Sequence, residues 1–188
     1  MWKPVDPSGG KWLKMGRCGE LWGDWRGLWI NRGIMEADGT TELTYYNSIY
    51  RHGVDEKRRV QIPAMWRPTS GDVEFTLIVW PAPNDGTCLR VLPPEQMAKL
   101  MADINAMENG DPKKTALKRV IGGASVQVAL DKAGRICIPD EMARAAGIAA
   151  EAVLNGLLDR FEIWNPERFE RRQAADAVLA SEAFKLLE

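Results

Sequence analysis

The residues of this chain best suited to chemistry are an aspartate and an arginine set four apart, and the pair occurs twice. Asp55 and Arg59 lie in Val54-Asp55-Glu56-Lys57-Arg58-Arg59-Val60-Gln61-Ile62-Pro63. Asp131 and Arg135 lie in Leu130-Asp131-Lys132-Ala133-Gly134-Arg135-Ile136-Cys137-Ile138-Pro139, 76 residues later. Both copies follow the frame apolar-Asp-x-x-x-Arg-apolar-x-Ile-Pro. An aspartate opening a turn accepts from backbone N–H groups two residues on, and Gly134 suits the left-handed position that closes the second turn. Asp55, Asp131 and Gly134 are therefore read as ordering the turns. Arg51, Lys57, Arg58, Arg59 and Arg67 gather around the first turn against Asp55 and Glu56, while Lys132 and Arg135 flank the second. A major groove admits a two-stranded ribbon, so cations at a hairpin tip can reach guanine edges and phosphates. Lys57, Arg58, Arg59, Lys132 and Arg135 are the candidate DNA-binding residues. Arg67 and Arg144 lie beyond Pro63 and Pro139 and are read as not equivalent to them. One such turn alone is ordinarily a solvated ion pair of little energetic consequence. Two turns with one chemistry suit a repeated ligand such as a duplex. A rival reading from another class is a ring or scaffold whose basic turns bind an acidic protein.

Other chemistries find no support in the residue pattern. The 188 residues hold a single histidine, His52, so H-E-x-x-H zinc sites and histidine clusters are excluded, and no metal or cofactor is expected. His52 is read as structural or DNA-facing. There is no G-x-x-x-x-G-K-[ST], G-x-G-x-x-G or G-x-S-x-G, and an enzyme is not expected. No small-molecule ligand is evident. Cys18, Cys88 and Cys137 are odd in number and scattered, which fits reduced thiols in a cytosol. Cys88 and Cys137 are expected to pack as small apolar residues. No apolar run approaches the ~18 residues of a membrane span, and the N-terminus lacks the apolar stretch of a secretory signal. Formal net charge is -1, so a nucleic-acid role needs a local basic site.

The elements that must position the turns are themselves duplicated. Leu89-Arg90-Val91-Leu92-Pro93-Pro94-Glu95 lines up with Phe161-Glu162-Ile163-Trp164-Asn165-Pro166-Glu167, 72 residues on. Each repeat reads as strand, turn, strand, short helix, strand, turn, strand, helix. Val126, Val128 and Leu130 alternate with polar or small residues, as do Ile136 and Ile138 about Cys137. Pro139 ends that strand, Asp140 is placed to cap a helix over Glu141–Ala146, and Gly147 stops it. Leu157-Leu158 and Phe161–Trp164 read as the next strand pair. Asn165-Pro166-Glu167 is a helix start. Met97, Leu100, Met101, Ile104 and Met107 fall at helical spacing and are expected to face a core. An Ala-rich helix is expected over Ala174–Leu187, for packing or subunit contact. The fold class is α+β.

The amino-terminal segment differs in kind. Residues 1–34 hold five of the eight tryptophans and seven of the seventeen glycines, with no helical or strand period. This segment is expected not to belong to the folded unit; the functional alternative is a basic, Trp-rich arm stacking on nucleic acid. The organisation reads as an N-terminal extension over 1–43, repeat one over 44–108, a hinge at 109–112, and repeat two with a C-terminal helix over 113–188.

Tyr50-Arg51-His52-Gly53 followed by the first turn, together with Asp131–Pro139 and Phe161-Glu162-Ile163-Trp164, resembles the MraZ family of bacterial regulators. The resemblance covers about residues 45–175. It implies two tandem AbrB-like (SpoVT-AbrB) swapped-hairpin β units forming a pseudo-twofold barrel with flanking helices. It also implies a sequence-specific binder of double-stranded promoter repeats that assembles as a homo-oligomeric ring. Such a regulator is cytoplasmic and nucleoid-associated, and represses a cell-division and cell-wall gene cluster. The family's Asp-x-x-x-Arg motif carries over onto Asp55 and Arg59, and onto Asp131 and Arg135. Two departures stand out: residues 1–34 have no counterpart, and Arg58 stands where the family usually has glycine. If the backbone there is left-handed, a non-glycine residue costs about 1 kcal/mol; otherwise the geometry of that turn differs.

Overall fold

The computed structural model describes residues 44–68 and 73–186. The expectation for residues 1–34 lies outside them.

Among the described residues eight strands form in chain order: β1 Ile49–Gly53, β2 Arg59–Gln61, β3 Glu74–Ala82, β4 Gly86–Leu92, β5 Ser125–Ala129, β6 Arg135–Cys137, β7 Glu151–Gly156 and β8 Phe161–Trp164. Among the described residues four α-helices accompany them: α1 Pro94–Ala106, α2 Pro112–Gly123, α3 Asp140–Ala146 and α4 Pro166–Ala183. Six strands make one sheet in the order β1-β7-β8-β4-β3-β5, and β2 and β6 make a separate two-stranded ribbon. Every pairing is antiparallel.

The strand order interleaves the two repeats. β3–β4 and β7–β8 are local hairpins, but β1 of repeat one pairs with β7 of repeat two, and β5 of repeat two pairs with β3 of repeat one. β2 and β6 occupy matching places and pair with each other about Val60↔Ile136. The closed barrel implied by the resemblance is not formed. β1 and β5 are the sheet edges, and the chain just after β1 meets β2 through the isolated bridge Val54↔Val60, so among the described residues no ladder runs continuously round the structure.

Alternation along each strand decides what each sheet face buries. Phe75, Leu77, Leu89, Val91, Leu154, Phe161 and Ile163 point to one face. There they meet Val60, Ile62, Ile136 and Ile138 of the ribbon region and Met142, Ala143 and Ala146 of α3. Residues of the opposite phase, Ile78 and Leu92, pack on Ile104 of α1 and Ile121 of α2. Cys88, Val153 and Trp164 pack on Phe169 of α4. With both faces covered, β3 can read as a nearly continuous apolar run.

Several local expectations meet a different outcome. Among the described residues repeat one has no short α-helix: a single 3-10 turn, Ala64–Trp66, stands where repeat two has α3. Pro68 disfavours helical backbone in the residue before it, and Arg67 is extended at φ -82, ψ 133, so the helix ends after one turn. Asp140 does not cap α3; Pro139 holds the N-cap position and Asp140 lies in the first turn. Leu157-Leu158 is not a strand. The strand is Glu151–Gly156, and Leu158 sits at φ 70 in the connection to β8. Helix α2 has no counterpart in the sequence reading; Asp111 caps it by accepting from the Lys113 N–H at 2.8 Å. Asn165 caps α4 and Gly147 ends α3 in the left-handed conformation, as expected. α4 runs from Pro166 to Ala183, with 3-10 geometry over Phe184–Leu186. Of the methionine stripe, Ile104 is buried and Met97 and Leu100 partly so, but Met101 is exposed. Cys88 is buried as anticipated, and burial pushes its thiol up to about 12. Cys137 is exposed, because it lies on the outward phase of β6 opposite Ile136 and Ile138.

Candidate nucleic-acid interface

Each Asp-x-x-x-Arg segment folds into the same turn. The Asp55 Oδ1 accepts from the Lys57 N–H at 3.0 Å and the Arg59 N–H at 2.9 Å, while Oδ2 accepts from Arg59 Nε at 2.7 Å. The Asp131 Oδ1 accepts from the Ala133 and Arg135 N–H groups, each at 2.9 Å, and Oδ2 accepts from Arg135 Nε at 2.9 Å. The backbone closes each turn twice, from Arg58 N–H to Asp55 O and Asp55 N–H to Arg59 O, and from Gly134 N–H to Asp131 O and Asp131 N–H to Arg135 O. One carboxylate thus fixes two backbone amides and one guanidinium, which is why the spacing must be four. Glutamate would carry an extra rotor, and asparagine would lose one acceptor.

The fourth position of each turn is left-handed. Gly134 has φ 76 and Arg58 has φ 58, so Arg58 bears the strain that glycine avoids. The ribbon joins the turns. Ile62 N–H donates to Gly134 O at 3.0 Å and Ile138 N–H donates to Arg58 O at 2.9 Å, a reciprocal pair. Val60 and Ile136 point into the core, which leaves Arg59, Gln61, Arg135 and Cys137 on the opposite, outward phase of the ribbon. Gln61 Nε2 donates to Ala133 O at 2.9 Å and Gly134 O at 3.0 Å, and Cys137 Sγ lies 3.3 Å from Lys57 O. Sequence reasoning missed Gln61 as a brace of the second turn; its place two residues after Arg59, on the same face, was the available signal.

The candidate residues come together as a set, with differences between the copies. Arg59 and Arg135 share one face, and Arg135 Nη1 lies 3.7 Å from Asp55 Oδ2, so Asp55 serves both turns. Arg135 is held by Nε and Nη2 on Asp131. Arg59 is held by Nε alone, and among the described residues its terminal nitrogens make no hydrogen bond. Lys57 and Lys132 are exposed at their turns. Arg58 is turned inward along the second repeat, with Nε 3.2 Å from Asp140 Oδ1 and Nη1 3.4 Å from Ile148 O. Arg144 lies on α3, with Nε 3.4 Å from Asp140 O, the residue whose carboxylate Arg58 reaches. Arg67 is not remote: its guanidinium lies against Gly134. His52 stands on β1, stacked on Tyr50 with ring centroids 6.3 Å apart, and its Nε2 is buried without a partner among the described residues. Among the described residues no group of three His, Cys, Asp or Glu is placed to hold a metal ion.

Hydrogen bonds from Arg135, through its side chain and then its backbone, hold the Asp131 carboxyl down at about 2, from an ordinary 3.8. Asp55 is lowered too, chiefly by the Arg59 N–H. A depressed folded-state pKa gives stability that is present above the unfolded value and lost as pH falls through the folded one. The stability difference between wild type and Asp131→Asn is therefore expected to be constant at neutral pH and to shrink as pH falls from about 4 towards about 2. Urea melts across that range check it; a difference independent of pH would show that the carboxylate does not brace the turn.

Fold and site together define an interleaved antiparallel α+β protein that presents two copies of one carboxylate-braced, cation-bearing turn on a shared ribbon. The family described as "MraZ protein, putative antitoxin-like" matches residues 121–185. A protein named transcriptional regulator MraZ from Rickettsia rickettsii (strain Sheila Smith) is 32% identical over 141 residues, covering 74% of this chain and 94% of that protein. The Rickettsia africae (strain ESF-5) protein of that name is 31% identical over the same length and coverage. The Rickettsia felis (strain ATCC VR-1525 / URRWXCal2) protein is 32% identical over 130 residues, 69% of this chain and 87% of the relative. The chain belongs to the MraZ family.

Proposed function

We propose that this chain is a sequence-specific DNA-binding transcriptional regulator with no covalent chemistry of its own, acting as a repressor at the promoter of a cell-division and cell-wall gene cluster. The observation that carries the reading is the duplicated turn: two Asp-braced arginines on the outward face of one ribbon, with Lys57 and Lys132 beside them. Arg59 and Arg135 read guanine edges, Lys57 and Lys132 meet phosphates, Arg58 reaches a phosphate only by giving up its pairing with Asp140, and Asp55, Asp131 and Gly134 set the turn geometry. The exchange of β1 and β5 between repeats supports two AbrB-like swapped-hairpin units, one over 44–108 and one over 113–188 joined at 109–112. The names of the Rickettsia relatives support transcriptional regulation. Few contacts per chain bind weakly, so the working form is a ring of copies engaging several promoter repeats through effective concentration. The site of action is the nucleoid, in the cytoplasm.

The test is a footprint on the DNA upstream of the chain's own gene, with binding measured over a salt series. Protection of repeated short elements and a steep fall of affinity with salt are expected. No sequence preference and no salt slope would instead favour a scaffold that binds an acidic protein. Assembly is checked by light scattering at micromolar concentration. A solution mass several times the 21.0 kDa chain is expected, and a mass of one chain overturns the ring.

A further inference from the structure

We propose that Arg67 is a further DNA-contacting cation, a phosphate contact that belongs to the second turn although it comes from the first repeat. This inference rests on the DNA-binding reading and extends it to a residue outside the duplicated motif.

The two turns differ at their left-handed position, Arg58 in one and Gly134 in the other. Arg58 sends its guanidinium away from the first turn, to Asp140 and the Ile148 carbonyl of the other repeat. Gly134 brings none, yet it is buried although it sits in a turn between exposed Ala133 and half-buried Arg135. The Arg67 guanidinium covers it: a Cβ built on Gly134 would overlap Arg67 Cζ, Nε and Nη1. The residue 76 positions after Arg67 is Ala143, which is buried in the core of the other repeat and carries no charge. The second turn therefore has a guanidinium over its left-handed residue, and it borrows that arginine from repeat one. Glycine at 134 is required twice over, for φ 76 and for the room that Arg67 takes.

The geometry also indicates what Arg67 would contact. Its Nε donates to Ile62 O at 2.9 Å, and Ile62 N–H donates to Gly134 O, so the side chain is anchored behind the turn and not at its tip. An arginine set back in this way suits the sequence-independent attraction of a phosphate better than bidentate reading of a base edge. With Lys132 and Arg135 it makes three cations at the second turn, where the first has Lys57 and Arg59 beside an Arg58 already paired with Asp140.

Fluorescence anisotropy of two duplexes, one from the region upstream of the gene and one scrambled, tests this over a salt series. Wild type, Arg67→Gln, Arg67→Lys and Arg59→Ala are compared, with melting and solution mass as fold controls. Arg67→Gln is expected to weaken both duplexes alike by several-fold and to lower the slope of log K against log salt by about 0.9 for each Arg67 engaged. Arg67→Lys, which keeps the charge, is expected to restore the slope. If Arg67→Gln keeps the wild-type slope while Arg59→Ala loses sequence preference, Arg67 only braces the turn, and the DNA-binding reading stands without it. If wild type binds neither duplex, both fall. Should Arg67→Gln not fold, phenylglyoxal modification of wild type with and without the scrambled duplex, read by mass spectrometry at each arginine, decides the matter. Several-fold protection of Arg67 is expected, and unchanged reactivity overturns the proposal.

Discussion

Arg59→Ala is expected to abolish sequence-specific binding to the upstream DNA while leaving fold and assembly in place. Arg59 is anchored by a single guanidinium nitrogen on Asp55, at 2.7 Å, so its planar fork is oriented in advance. Its terminal nitrogens, with no hydrogen bond among the described residues, are the ones that can meet guanine O6 and N7. A bidentate contact of this kind discriminates by about 1–3 kcal/mol, and an assembly that engages several repeats multiplies the loss. The fold should survive because the Arg59 side chain lies on the outward phase of β2 and the core below is held by Val60 and Ile136. Lys57→Ala, by contrast, is expected to weaken all sequences alike and to flatten the salt dependence. Binding of the upstream and scrambled duplexes at two salt concentrations separates the two variants. Wild-type affinity and preference in Arg59→Ala, with an unchanged solution mass, would leave the turn a purely structural device.

Trp66→Ala should cost about 3–5 kcal/mol of stability, the usual range for emptying a fully buried aromatic site. Trp66 has no solvent exposure and forms part of an aromatic cluster that joins the two repeats. Its ring centroid lies 5.0 Å from Phe161 in β8, 5.2 Å from Tyr50 and 5.8 Å from Tyr46, and its indole N–H donates to Asn47 O at 3.1 Å. Truncation removes the aromatic contacts and leaves that carbonyl without its donor, two losses that add. For a folded unit of this size the melting temperature should fall by roughly 10 °C. Because Trp66 immediately precedes Arg67, DNA affinity should also fall, but only in step with stability. A thermal melt that moves by less than a few degrees would mean the cavity collapses around the missing ring.

What the sequence determined by itself is local. The Asp-to-Arg spacing, the left-handed fourth residue of the second turn, the Asn165 cap and the Gly147 stop all rest on interactions within four residues along the chain, and such signals survive in any context. At Arg58, a non-glycine residue whose twin is glycine, the sequence left open a strained left-handed residue or a different turn geometry, and φ 58 is the first of these.

The tertiary structure decided what depends on contacts between repeats. Glu151–Gly156 contains Glu and Ala, better helix formers than strand formers, yet it is a strand because Ala152, Val153 and Leu154 are all buried between β1 and β8. Helix α2 shows only two buried residues, Lys114 and Ile121, so its apolar stripe was too thin to see along the sequence. Lys114 is buried because it donates to Asn105 O and Met107 O at the end of α1, a helix-to-helix role that no periodicity reveals. The open sheet, the exposure of Cys137 and the pairing of Arg58 with Asp140 follow from which strand of one repeat meets which element of the other. Arg67 is the clearest case: it lies 67 residues along the chain from Gly134 and reaches it only because β2 and β6 pair. A side chain that covers a turn of the opposite repeat leaves no mark in its own neighbourhood, since the space it fills is the absence of a Cβ elsewhere.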